Sequence, residues 1–176
     1  MSPSEVQELR GWFSAVDRDN SGEISANELA QMQFGVQKFG MSTCNMLIKV
    51  FDTDQSGQIG FFEYCVLHKF IMGMQAAFHM HDKDRSRRLD LPEVTQALAQ
   101  GGFQFSQATV GKIFSKFAKK SYGKEEGLEF ESFIQMCAYL GQIRSAFDLQ
   151  DTDRDRWIRI NLEGLVQVSA PYSDPR

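Results

Sequence analysis

Two segments of the chain place oxygen-bearing side chains at intervals that suit a hard divalent cation. In Asp17-Arg-Asp-Asn-Ser-Gly-Glu-Ile-Ser-Ala-Asn-Glu28, the residues Asp17, Asp19 and Ser21 stand at alternate positions, Gly22 follows, and Glu28 closes the set. Alternation lets a curling chain turn successive oxygens toward one centre, and a glutamate at the twelfth position adds both oxygens of its carboxylate. Gly22 suits the sharp turn, because a left-handed backbone costs a residue with a Cβ about 1–2 kcal/mol. Glu23 offers its backbone carbonyl, and Ser25 acts directly or through water. Asp52-Thr-Asp-Gln-Ser-Gly-Gln-Ile-Gly-Phe-Phe-Glu63 repeats the pattern, with Asp52, Asp54, Ser56, the Gln58 carbonyl and Glu63 as ligands and Gly57 at the turn. The implied chemistry is coordination of Ca2+.

This spacing is that of the EF-hand loop. A third segment, Asp82 to Glu93, keeps Asp82, Asp84, Ser86, the Arg88 carbonyl, Asp90 and Glu93 in register but has Arg87 in place of the turn glycine, with Arg85 and Arg88 beside it. Its carboxylates favour calcium, while the strained turn and the positive charge oppose it. The fifth segment, Asp151 to Leu162, carries Asp151, Asp153 and Asp155 but lacks the closing glutamate: Leu162 holds that position and Glu163 comes one residue late. That predicts a weak site at best. In the fourth, counted back from Leu128-x-Phe130, Lys119, Lys120 and Ser121 lie where carboxylates belong and Ser132 replaces the glutamate. That loop is expected to be structural.

Helices must position these loops. Val6, Leu9, Phe13 and Val16 recur at helical spacing before the first loop, and Leu47, Val50 and Phe51 before the second. The loop starts at Asp17, Asp52 and Asp82 are 35 and then 30 residues apart. The shorter interval holds about one helix of ~18–20 residues shared by two loops, and the longer holds two helices and a link. Phe62 to Met80 is the first expected shared helix, marked by Phe70, Met74 and Phe78 at steps of four. Phe130 to Leu149 is the second, marked by Phe133, Met136, Leu140, Ile143 and Phe147. Gly101-Gly102 and Ser121 to Gly127 read as flexible breaks. Ile24 should pair with a partner loop in a short two-residue strand.

Composition narrows the function classes. The chain has 176 residues, 42 % apolar and 24 % charged, which is ordinary for a soluble globular protein. A net charge of −4 argues against a nucleic-acid partner. Fifteen Phe and eight Met suit helices that repack around a mobile surface. Cys44, Cys65 and Cys137 cannot all pair within the chain, and the opening residues carry no secretion signal, so reduced thiols in the cytoplasm are expected. The basic run Lys112, Lys116, Lys119, Lys120, Lys124 reads as a solvated face. His79 and His81 are two apart, the wrong interval for one helix face, and read as exposed helix-end residues. No nucleophile motif or phosphate loop occurs, so an enzyme is not expected.

Five such units joined by alternately separate and shared helices resemble the penta-EF-hand family, from about Glu5 to Val168. Asp151, Asp153, Asp155, Trp157 and Ile158 resemble the fifth hand of the family's branch containing the apoptosis-linked calcium adaptor and peflin. The resemblance implies an all-α domain over 1–176 with hands at about 5–36, 42–70, 71–101, 107–140 and 141–169. It implies that hands one and two pair, three and four pair, and the fifth pairs with another chain around Trp157 to Val168, as a homodimer or a heterodimer. The expected function is a calcium sensor or adaptor that reorients helices and exposes apolar surface to a protein target or, peripherally, to a membrane. The alternatives are a calcium-responsive subunit of a larger enzyme and a plain calcium buffer.

Overall fold

The computed structural model describes residues 2–34, 38–121, 124–125 and 127–169, with backbone alone at 120–121, 124–125 and 166–169. Two compact units are present, Met1–Ala138 and Tyr139–Arg176. The expected flexible break from Ser121 to Gly127 falls partly outside the described residues, and the end of the expected dimer segment, 166–168, is described by its backbone alone.

In the first unit, α1 (Pro3–Val16) leads through the first loop and β1 (Glu23–Ile24) into α2 (Ala26–Gln31). Then α3 (Met41–Phe51) leads through the second loop and β2 (Ile59–Gly60) into α4 (Phe61–His81). Ser2 caps α1, and the helix buries Leu9 and Phe13, as the helical spacing predicts. The third loop joins α4 to α5 (Leu91–Gln100), and α6 (Gln107–Phe117) precedes the fourth segment. The two shared helices are present: α4, and α7 (Phe130–Gln150), each 21 residues long. Both read as one continuous helix because no Pro or strong cap interrupts either span.

The loops pair as expected. Strands β1 and β2 are antiparallel, with Ile24 opposite Ile59. Leu89 and Leu128 bridge the third and fourth segments through reciprocal N–H···O bonds of 2.9 and 2.8 Å. All four side chains are fully buried. Gly127 is required beside this bridge: its φ is +99°, and a Cβ would lie 2.9 Å from the Leu89 carbonyl oxygen. The fourth segment forms a hairpin, β3 (Lys120–Ser121) against β4 (Lys124–Glu125), which accounts for its extra residues. Nearby, Glu129 accepts from both Arg88 (3.0 Å) and Lys119.

Aromatic rings fill the core. Phe13 packs edge-on against Tyr64 and Phe61, and Phe78 does so against Phe130 and Phe133, at centroid distances of 5.5–5.7 Å. Cys44 and Cys65 are buried and unpaired, and burial pushes the Cys44 thiol up to about 11. His79 is exposed, but His81 corrects its expectation: it is buried, with Nε2 2.9 Å from Gln100 Oε1. The end of α4 turns inward there to start the third loop, so its last residue faces α5 rather than solvent.

In the second unit, Leu140 is buried on α7, and the fifth loop leads to α8 (Leu162–Ser169). Trp157 and Leu162 are 80 % and 79 % exposed, and Leu149 and Leu165 also face outward. Among the described residues, no helix is long and apolar enough to cross a membrane.

Candidate metal centres

Among the described residues four carboxylate clusters form, in the first, second, third and fifth loops. Asp17, Asp19 and Glu28 each present an oxygen within a 4.8 Å set, and so do Asp52, Asp54 and Glu63, then Asp82, Asp84 and Glu93, then Asp151, Asp153 and Asp155. The other expected donors join them. Ser21 Oγ donates to the Glu23 carbonyl at 2.9 Å, Ser56 Oγ to the Gln58 carbonyl at 3.4 Å, and Ser86 Oγ to the Arg88 carbonyl at 2.8 Å. Positions five and seven therefore bring their oxygens together in all three loops, and Ser21 Oγ and Ser86 Oγ also lie 3.3 and 3.5 Å from the first aspartate of their loops. The set is oxygen-only and rich in carboxylate, which fits calcium and not a soft metal.

Backbone amides shape each cradle. Asp17 accepts from Ser21 and Gly22 at 3.0 and 2.9 Å, Asp52 from Ser56 and Gly57 at 3.0 and 2.8 Å, and Asp82 from Arg87 at 3.1 Å. These bonds require a left-handed turn, and Gly22 and Gly57 supply it at φ +85° and +82°. Arg87 and Arg156 adopt the same turn at φ +63° and +69°. The third and fifth loops thus reach the shape of the first two against a steric penalty. Position four is left-handed in every one of these loops, at Asn20, Gln55, Arg85 and Arg154. Only Asn20 carries a sequence signal for that conformation.

The closing glutamate ties entry to exit. One Glu28 oxygen accepts from the Arg18 amide and the other from the Ser25 amide, both at 2.9 Å. Glu63 does the same with Thr53 (2.6 Å) and Gly60 (2.9 Å), and Glu93 with Lys83 and Asp90 (both 3.0 Å). Each glutamate is also the third residue of its outgoing helix, where a carboxylate complements the helix dipole. Two hydroxyls support the closing glutamates: that of Ser25, expected as a ligand directly or through water, and that of Thr53, which lies outside the ligand pattern. Ser25 Oγ donates to Glu28 at 2.7 Å while capping α2, and Thr53 Oγ1 donates to Glu63 at 2.7 Å. Asp90 caps α5, accepting from the Glu93 amide at 2.9 Å.

Hydrogen bonds favour the ionised form of Glu28, Glu63, Asp19 and Asp84. The Ser25 hydroxyl, then its amide, pull Glu28 below the ordinary glutamate value of 4.5. Burial raises Glu63, but hydrogen bonds from Thr53 and Gly60 outweigh it and the net shift is downward. Ser21 lowers Asp19, and the Ser86 amide lowers Asp84.

The fifth loop differs at its end. Asp151 is buried and accepts from Asp155 and Arg156 at 3.1 Å each, while Asp155 accepts from the Trp157 amide at 2.7 Å. Leu162, in the glutamate position, is exposed, so this cluster lacks the closing contact.

A family model described as an EF-hand domain pair matches residues 6–67. "Penta-EF hand domain-containing protein 2" of Dictyostelium discoideum is 36 % identical over 167 residues, covering 95 % of this chain and 80 % of the relative. Peflin of Xenopus laevis is 33 % identical over 169 residues, and the chain spans 59 % of its length. A solved homolog of programmed cell death 6 protein from Leishmania major Friedlin superposes with a TM-score of 0.73 at 31 % identity, covering 96 % of this chain and 95 % of that one.

Proposed function

Since the chain belongs to the penta-EF-hand family and is a calcium-binding regulatory protein, we propose that it is a calcium sensor working through three loops. The ligands are Asp17, Asp19, Ser21, Glu23 and Glu28; Asp52, Asp54, Ser56, Gln58 and Glu63; and Asp82, Asp84, Ser86, Arg88 and Glu93. Glu23, Gln58 and Arg88 act through their backbone carbonyls.

One observation carries this reading. Glu28, Glu63 and Glu93 each belong both to a carboxylate cluster and to the first turn of an outgoing helix. A carboxylate drawn into a coordination shell must carry its helix with it, so α2, α4 and α5 change angle to α1, α3 and the preceding end of α4. The surface this would offer includes Trp12, Phe62, Val66 and Met72, already partly or largely exposed.

A partner through the second unit is favoured by a separate observation, the exposure of Trp157, Leu162 and Leu165. We assign that face to a second copy of the chain, with a larger enzyme's homologous subunit as the alternative. The unpaired thiols support a cytoplasmic setting; the exposed Phe62, Val66 and Met72 support peripheral, calcium-dependent membrane contact.

Calorimetric titration of the full chain with calcium tests the sensor reading, comparing Glu28→Gln, Glu63→Gln and Glu93→Gln. Each variant should lose one binding event, with dye-accessible apolar surface rising on calcium addition in the parent. Equal dye binding with and without calcium would leave a buffer, not a sensor.

A further inference from the structure

Helix α3 begins without a side-chain cap of its own, because its N-cap residue is Gly40. The amide left over is satisfied from far along the chain. Glu131, in the first turn of α7, accepts the Gly40 N–H at 2.8 Å on Oε1, and the same oxygen accepts the hydroxyl of Thr43. That hydroxyl in turn accepts from Gln135 Nε2 at 2.7 Å, one turn along α7. Thr43 is fully buried. Gly40 has an ordinary negative φ of −69°, so the glycine is not there for handedness. A Cβ would stand 3.3 Å from Glu131 Oε1, so its small size is what admits the carboxylate.

Rings continue the contact. Phe39 lies 6.2 Å from Phe130 and 5.5 Å from Phe34. On the other side, Phe78 of α4 packs on Phe130 and Phe133. The start of α7 therefore straddles the second hand. It grips the incoming helix through Glu131 and Gln135, and the outgoing helix through Phe130 and Phe133. Asp52, the first residue of the second loop, directly ends α3.

We propose that Glu131 is a positioning residue that clasps α3 to α7, so that ion binding at the second loop is transmitted to α7 even though the described residues of the fourth loop form no ligand set. The proposal rests on the reading that Asp52 to Glu63 holds calcium. An EF-hand responds by changing the angle between its two helices. A helix fastened to both members of that pair cannot stay indifferent to the angle, whereas one fastened to α4 alone can follow α4 as a rigid body. The clasp thus gives the metal-free hand a calcium response borrowed from its neighbour.

Hydrogen exchange on the full chain, with EDTA or with calcium, reads both segments at once. In the parent, calcium should change exchange at Gln58–Tyr64 and, severalfold, at Phe130–Met136. In Glu131→Ala, amides from Gly40 to Cys44 should exchange on the order of tenfold faster, as loss of a cap implies. The second-loop response should persist and the α7 response should collapse. Thr43→Val, which removes the bonds to Glu131 and Gln135 and leaves that from Gly40, should lose part of the α7 response and keeps the test open should the alanine variant misfold. Glu131→Gln, retaining an acceptor oxygen, should restore it. An α7 response of parental size in Glu131→Ala and Thr43→Val overturns the proposal. No calcium response at Gln58–Tyr64 in the parent overturns the calcium reading itself.

Discussion

Ile24 and Ile59 face each other across the two-residue ladder between the first and second loops, and neither retains any exposed surface. Each residue sits one position after its loop's proposed carbonyl ligand, Glu23 or Gln58, and Gln58 Nε2 also donates to Glu23 Oε2 at 3.2 Å. Ordering one loop therefore orders the backbone of the other.

Positive cooperativity between these loops follows. Glu63→Gln should weaken calcium binding at the intact first loop by about fivefold or more, the lower end of common coupling energies. Calorimetry on the variant against the parent measures it. An unchanged first-loop affinity would mean the ladder carries no coupling.

At the third loop, Arg87 holds a left-handed turn that glycine holds in the first two. Arg87→Gly should raise stability in EDTA by about 1 kcal/mol over Arg87→Ala, because both remove the charge and only glycine removes the steric penalty. Urea unfolding compares the two. Equal stabilities would mean that the turn is not strained.

Acid should act through Glu28. Its carboxyl is held below 4.5 in the folded chain, chiefly by the Ser25 hydroxyl. The stabilisation is complete above that ordinary value and is lost as pH falls through the depressed one. Ser25→Ala should therefore be less stable than the parent at pH 7, and the gap should narrow in acid. What remains is the pH-independent loss of the α2 cap, about 1 kcal/mol. Unfolding in EDTA at neutral and acid pH follows it, and a gap constant with pH would separate Ser25 from Glu28 ionisation.

Much of this architecture was legible in the residues, for identifiable reasons. Phe78 and Phe133 announce the shared helices because helical periodicity is local, and Asp17 to Glu28 announces a loop because coordination fixes spacing. Arg87 pointed the other way: its side chain argues against the turn, yet bonds from Ser86 to Asp84 and from Arg87 to Asp82 hold the loop in register. His81 read as an exposed terminus because its burial depends on Gln100, nineteen residues on. Glu131 carried no signal at all. Its partner Gly40 lies ninety-one residues away, and no spacing rule reaches that far.

The fourth segment kept its bridge between Leu128 and Leu89 while replacing acids with Lys119 and a hairpin. The two halves of the first unit should consequently differ in dose response. Among the described residues one pair of hands has two acid sets, to which a steep, switch-like curve is open; the other has a single set, which would fill along a shallow hyperbola. A cell using this chain would draw both a threshold and a graded reading from one molecule.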